Sequence, residues 1–319
     1  MNIKILITSF TIFSISFLTG CSGQSQDKFI SDFNHINTNP ELINFSNEFE
    51  INNNGGHIQG IQEFENKHGN YIFLSGSSDS YSYCVVIKPG NENKVVAINR
   101  LMDLPFKHAG GFQVFQNYLA VGIEDNSLKD KSKVCVYDIS APEKPFSEPI
   151  AVIERNGEPL RSTAGCIGIT RYNNKIWLAV GDWDTKHIDF YAAEDDQLAG
   201  KEFKKISSVE TENISRDGWI SDEWHSYQNI NLFNINGQLF LIGLGQNKQS
   251  ENIADLFEIT VDSKRILSFK KVASKTFDCT NNCSFKAAAG AAYNKGEFKI
   301  LASGYNIDSV STLNVFSNK

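Results

Sequence analysis

The sequence predicts an all-β chain assembled by radial repetition, and three observations carry the prediction. Five apolar runs close on a glycine: YIFLSG at Gly76, YLAVG at Gly122, IWLAVG at Gly181, LFLIG at Gly243 and KILASG at Gly304. Each run follows a Gly-, Ala- or His-rich segment ending in an aromatic residue, Phe64, Phe115, Tyr172, Phe233 or Tyr293. Further alternating apolar segments follow each glycine, and no stretch shows a convincing helical period. Repeats made only of strands are the mark of radial β architectures. The expected fold is a five-bladed β-propeller of four-stranded antiparallel blades, the last blade closed by the N-terminal strand.

Taken in order, the chain opens on a segment of another kind. Residues 1–20 carry one basic residue, Lys4, then an apolar stretch from Ile5 to Leu18 that is short for a membrane span. That pattern is a secretory signal peptide. Leu18-Thr19-Gly20-Cys21 resembles the bacterial lipobox, and the resemblance implies that Cys21 becomes a lipidated first residue, with Ser22 behind it favouring the outer membrane. An ordinary signal with an incidental cysteine is the alternative. Residues 21–44 are polar and poor in aliphatics, so they are expected to be the lipidated cysteine and a flexible tether. Residues 45–319 are the propeller.

Within that region Phe45–Ile51 alternates in the β manner and supplies the closing strand. The first unit gives strands at His57–Phe64, Tyr71–Gly76, Tyr81–Ile87 and Lys94–Asn99. The second gives His108–Phe115, Tyr118–Gly122, Lys133–Ile139 and Pro149–Glu154. The third gives Ala164–Tyr172, Ile176–Gly181, His187–Ala192 and Phe203–Val209, and the fourth His225–Phe233, Leu239–Gly243, Ala254–Val261 and Ile266–Val272. Gly, Asn and Pro between the runs support antiparallel hairpins. The fifth unit has three strands, Lys286–Tyr293, Phe298–Gly304 and Thr312–Phe316, so the N-terminal strand must complete it. Closing a ring from both termini removes an exposed sheet edge.

One unit adds a resemblance. Tyr118–Gly122 followed by Val136-Tyr-Asp-Ile-Ser-Ala-Pro-Glu-Lys-Pro145 resembles the LVIVD-type repeat of secreted bacterial β-propellers. Residues 181–191, 227–233 and 283–290 are similar to segments of other secreted propeller-like proteins. The resemblance implies a fold more than an activity.

Charge and cysteine content bound the function. The formal net charge is −7 and there is no basic run, which excludes a phosphate-neutralising nucleic-acid binder. Besides Cys21 the cysteines are Cys84, Cys135, Cys166, Cys279 and Cys283, so an oxidising compartment leaves at least one free thiol. Cys279 and Cys283, joined by a short polar loop, are the expected disulfide. Cys84 and Cys135 occupy matching strand positions where small buried hydrophobes belong.

In a propeller the loop before the innermost strand and the loop after the second strand share a face. That face is expected to collect His57, His108 and His225, together with Glu124, Asp125, Asp182, Asp184 and Glu223. The histidines admit three readings: ligands of a divalent metal cofactor, the rim of a metal-free ligand funnel, or satisfied structural side chains. Asp182-Trp183-Asp184 suits calcium or a turn closed by its own carboxylates. Trp183, Trp219, Trp224 and Tyr227 suit sugar stacking or packing. No G-x-S-x-G, H-E-x-x-H or P-loop pattern is present. Glycosidase chemistry is disfavoured, since the innermost strands start with His, Gly, Ser and Lys rather than paired acids. The expected function is that of a non-catalytic envelope lipoprotein, membrane-anchored on the periplasmic or outer-membrane side, whose top face binds a protein or glycan partner. The alternative is a metal-dependent, hydrolase-like envelope enzyme with a histidine-lined axial site.

Overall fold

The computed structural model describes residues 20–194, 198, 200 and 202–319. Residues 1–19 of the expected signal segment lie outside the described residues. The chain begins with a helix, α1 (Gly20–Asn34), and a strand, β1 (Glu41–Ser46). Four antiparallel units follow: β2 (Ile58–Asn66), β3 (Gly69–Ser77), β4 (Tyr81–Lys88) and β5 (Lys94–Asp103); β6 (His108–Phe115), β7 (Tyr118–Glu124), β8 (Lys131–Asp138) and β9 (Ala151–Asn156); β10 (Cys166–Tyr172), β11 (Lys175–Gly181), β12 (His187–Glu194) and β13 (Lys204–Glu210); β14 (Tyr227–Ile235), β15 (Gln238–Gln246), β16 (Asn252–Val261) and β17 (Leu267–Phe277). The chain ends on β18 (Ala288–Asn294), β19 (Glu297–Ser303) and β20 (Val310–Ser317), against which β1 pairs antiparallel, Glu41 opposite Val315 and Ser46 opposite Val310. The architecture is all-β and propeller-like.

Local chemistry explains the hairpins. Asn173-Asn174, Asn236-Gly237 and Lys295-Gly296, between the first two strands of the last three units, all have positive φ. Two such residues make the type I′ turn whose twist matches paired strands. The glycines that close the apolar runs of the second strands answer to crowding. A Cβ on Gly122 would stand 2.0 Å from the Ala164 carbonyl oxygen, and one on Gly243 would stand 2.6 Å from the Tyr227 ring.

The first strands of the units, β2, β6, β10, β14 and β18, are stitched to one another by buried amides. Gln113 on β6 accepts from Ile169 N and Leu232 N, both at 2.8 Å, and donates to Leu232 O. Asn229 and Asn231 on β14 bond Ala289 O and Ala291 N of β18, and Gln62 on β2 donates to Ala291 O. These side chains bridge the strands at the centre, and beside them the ends of the same five strands line a cavity of about 790 Å³ with Gln62, Gln113, Thr170, Leu232 and Ala291 in its wall. The apolar core lies between neighbouring units.

Two expectations at the N-terminus are corrected. The segment read as a flexible tether forms α1, and Phe29, Phe33 and Ile36 are buried against Phe240, Phe298 and Phe316. The i, i+4 spacing of Phe29 and Phe33 puts an apolar stripe on a mostly polar helix, and Ile36 continues it just past the helix end, which average composition conceals. The closing strand is Glu41–Ser46 rather than Phe45–Ile51. Asn47 ends it by accepting from Phe49 N and donating to Phe49 O, leaving Phe45 buried and Phe49 outside. Cys279 and Cys283 form the expected disulfide, and Cys84, Cys135 and Cys166 are free and buried. Among the described residues no helix is long and apolar enough to cross a membrane.

Candidate functional site

The ladder itself assembles the first part of the site. His108 starts β6 and Glu124 ends β7, and the register sets them opposite each other. Both are buried. Glu124 Oε2 accepts from Ala164 N at 3.0 Å, while Oε1 has no hydrogen-bond partner and lies 3.6 Å from His108 Nε2. Burial pushes the Glu124 carboxyl up to about 7, with the charge of Asp182 adding to it against the Ala164 N–H, Lys129 and Arg155. Burial pushes His108 down to about 3, helped by His57, Lys129 and Lys107. The pair is therefore uncharged below neutrality, a carboxylic acid beside a neutral imidazole, and not an ion pair.

His57 completes this cluster. Its ring centroid is 6.4 Å from that of His108 and 5.1 Å from that of Tyr305, which directly follows Gly304. His57 Nδ1 donates to Ile58 O at 2.7 Å, leaving a lone pair on Nε2 that faces the Gln59 amide at 3.0 Å. Burial lowers its pKa, with the bond to Ile58 opposing. Trp183 lies 5.8 Å from His108, and Lys129 Nζ sits 3.8 Å above the Trp183 ring. The segment carrying Ala164 is pinned from behind: Arg155 donates to Thr163 O and Arg161 O, and Trp183 N donates to Thr163 Oγ1.

His225 belongs to a different cluster. Its Nε2 is 3.8 Å from both Glu223 Oε2 and Asp255 Oδ2. Asp255 is buried, accepts from Tyr227 OH at 2.5 Å and pairs with the buried Lys271 Nζ at 3.0 Å. Lys271 also donates to Ser221 Oγ and to Glu223 O, which ties the segment before β14 onto the sheet. Burial lowers the His225 pKa, and Asp255 opposes it.

The remaining expected site residues are mostly turn-formers. Asp125 accepts from Ser127 N and Leu128 N and pairs with Lys131 at 3.5 Å; burial alone would raise its pKa, but these partners hold it low. Asp182 accepts from His187 N and His187 Nδ1, and its pKa is raised by burial. Asp184 accepts from Ser226 Oγ, and Glu223 is exposed. Trp219, Trp224 and Tyr227 pack with Phe257 and are core rather than platform.

The metal reading of His57, His108 and His225 is corrected. Among the described residues, no three His, Cys, Asp or Glu side chains converge to hold a metal. The spacing that suggested it aligned chain positions, whereas His225 is turned towards Asp255. Asp255, Lys271, Lys129 and Tyr305 were not singled out from sequence. Only Tyr305 carried a signal, its place immediately after a repeat glycine.

No family model and no curated protein matches this sequence. Solved structures do. A family 117 glycoside hydrolase of the marine bacterium Zobellia galactanivorans superimposes with a TM-score of 0.52 at 12% identity, over 88% of this chain and 90% of that one. A β-xylosidase/α-arabinofuranosidase of family 43 from a compost metagenome gives 0.49 at 9% identity, over 85% and 95%. An endo-arabinase of Bacteroides thetaiotaomicron gives 0.48 at 10%, over 84% and 96%. At such identities the likeness is one of fold. The family 117 protein is a glycoside hydrolase, and on that likeness the expected reading as a non-catalytic binding protein is corrected.

Proposed function

We propose that this chain is a hydrolase acting on a saccharide at the face that carries His57, His108 and Glu124. The observation that carries the reading is the buried Glu124 Oε1, which has no hydrogen-bond partner and lies 3.6 Å from His108 Nε2. A carboxylic acid held protonated near neutrality by burial is the means by which an enzyme donates a proton to a leaving oxygen at pH 7. The 3.6 Å separation is longer than a hydrogen bond, and such contacts tighten around bound substrate. In the proposed reaction the Glu124 proton passes through His108 to the leaving oxygen as the C–O bond breaks. Water supplies the new C–O bond, and His57 Nε2 accepts its proton once substrate displaces the Gln59 amide that donates to it. The glycoside hydrolases that share the fold support saccharide as the substrate class, as do Trp183 and Tyr305 beside the imidazoles.

The same reading takes the five four-stranded units as the blades of a five-bladed propeller, with β1 completing the fifth. It also places the enzyme in the cell envelope, on the strength of the lipobox-like Leu18-Thr19-Gly20-Cys21. Metabolic lipid labelling that is lost in Cys21→Ser tests that placement.

Turnover of a panel of aryl glycosides and oligosaccharides tests the chemistry. Glu124→Gln and His108→Ala are each expected to lower kcat by roughly 10²-fold or more. Activity of the unaltered protein should fall as pH rises through about 7, where Glu124 loses its proton. No turnover on the panel, or full activity in both variants, overturns the reading.

A further inference from the structure

A second opening lies next to the histidine pair. It is a cavity of about 740 Å³, within the ~300–1,000 Å³ range of small-molecule sites, floored by Phe45 and Ile307 and walled by Asn281, Asn282, Tyr305 and Asp308. Tyr305 is 45% exposed and its ring also meets His57, so the cavity and the imidazoles share a wall.

Asn281 and Asn282 are the central residues of a turn closed by Cys283 N donating to Thr280 O at 3.1 Å, and both have positive φ, 53° and 58°. The Cys279–Cys283 disulfide spans this turn. Asn314, fully buried on β20, accepts from Thr280 N at 2.9 Å and donates to Thr280 O at 3.2 Å. The turn is thus tied to β20 through Thr280, and just beyond it Ser284 N donates to Ser303 O of β19 at 3.1 Å. Among the described residues, no hydrogen bond is made by the side chains of Asn281, Asn282, Asn306 or Asp308. No lysine or arginine lines the cavity.

From this we infer that the cavity is a binding subsite for a neutral saccharide unit, contiguous with the His57–His108 site; the inference rests on the hydrolase reading and names where its substrate extends. Adjacent primary amides donate and accept at once, which matches a ring of hydroxyls. The exposed Tyr305 face offers an apolar surface to the C–H face of a sugar. Asp308 accepts but does not donate, and with no cation beside it an anionic ligand is repelled. Holding the amides on a cross-linked turn reduces the ordering cost of binding.

The test is binding of the full chain carrying Glu124→Gln to an array of neutral and anionic oligosaccharides. Asn281→Gly with Asn282→Gly removes both amides while keeping a residue that tolerates positive φ, and Tyr305→Ala removes the platform. The expected result is binding confined to neutral oligosaccharides, weakened at least tenfold in either variant. Unchanged binding in both variants, binding confined to anionic oligosaccharides, or no binding overturns the subsite. Binding of this kind without turnover in the unaltered protein leaves the subsite standing and removes the hydrolase. Turnover that survives the glycine double variant does the reverse.

Discussion

Asp189 shows what one buried carboxylate does for the candidate site. It pairs with Arg155 and Arg161 at 2.6 Å and Lys205 at 2.8 Å, and accepts from Ser208 Oγ at 2.7 Å. Burial alone would raise its pKa, but the cations outweigh burial and hold it well below the usual carboxylate range. A depressed folded-state pKa contributes stability above the unfolded value near 4, and that stability is lost as pH falls below it. Asp189→Asn strands Arg155 and is expected to cost roughly 3–5 kcal/mol at pH 7. The gap in Tm between the two proteins should narrow as pH drops from 7 towards about 2; a gap independent of pH would refute the assignment. Arg155 also bonds Thr163 O, so this residue-scale network holds the segment whose Ala164 N–H fixes Glu124. Little of it was legible. The repeat pattern placed His108 and Glu124 on one face, since both sit at predictable strand ends. Lys271, next to the exposed Lys270, is buried because the segment around Ser221–Glu223 folds over it.

At the scale of elements, the strands were legible and the helix was not. Alternation and terminal glycines placed β2 to β20 within a few residues, because a strand half-buried between units leaves a period of two in the sequence. In α1, Phe29, Ile30 and Phe33 among polar residues leave no comparable mark, and its burial is decided by β14, β17 and β19, far away in the chain. Phe29 packs 4.7 Å from Phe298 and 4.8 Å from both Phe240 and Tyr293. Phe33→Ala is expected to destabilise by about 3–5 kcal/mol in urea unfolding, the range for a buried Phe truncation. Lys28→Ala, which removes a partly exposed pair with Asp32, should change stability by less than about 1 kcal/mol. Equal, small effects would mean that α1 is a passive appendage.

For the whole molecule, closure is the decisive feature. β1 covers β20, and Asn44 Oδ1 accepts from Thr312 Oγ1 at 2.8 Å across that seam. Deleting residues 41–46 exposes the β20 edge, so the shortened chain is expected to self-associate in light scattering while the intact chain does not. A monomeric shortened chain would show that the edge needs no cover. The sequence by itself determined the strand content, the repeated antiparallel units, the need for an N-terminal strand and the Cys279–Cys283 cross-link, because each is written in local spacing. Tertiary structure alone decided that amides bridge the first strands beside a central cavity, that His225 turns to Asp255 while His57 and His108 stay together, and that Glu124 is buried without a partner for one oxygen. Those outcomes depend on which units meet across the ring and how much water they exclude, and no local pattern encodes either.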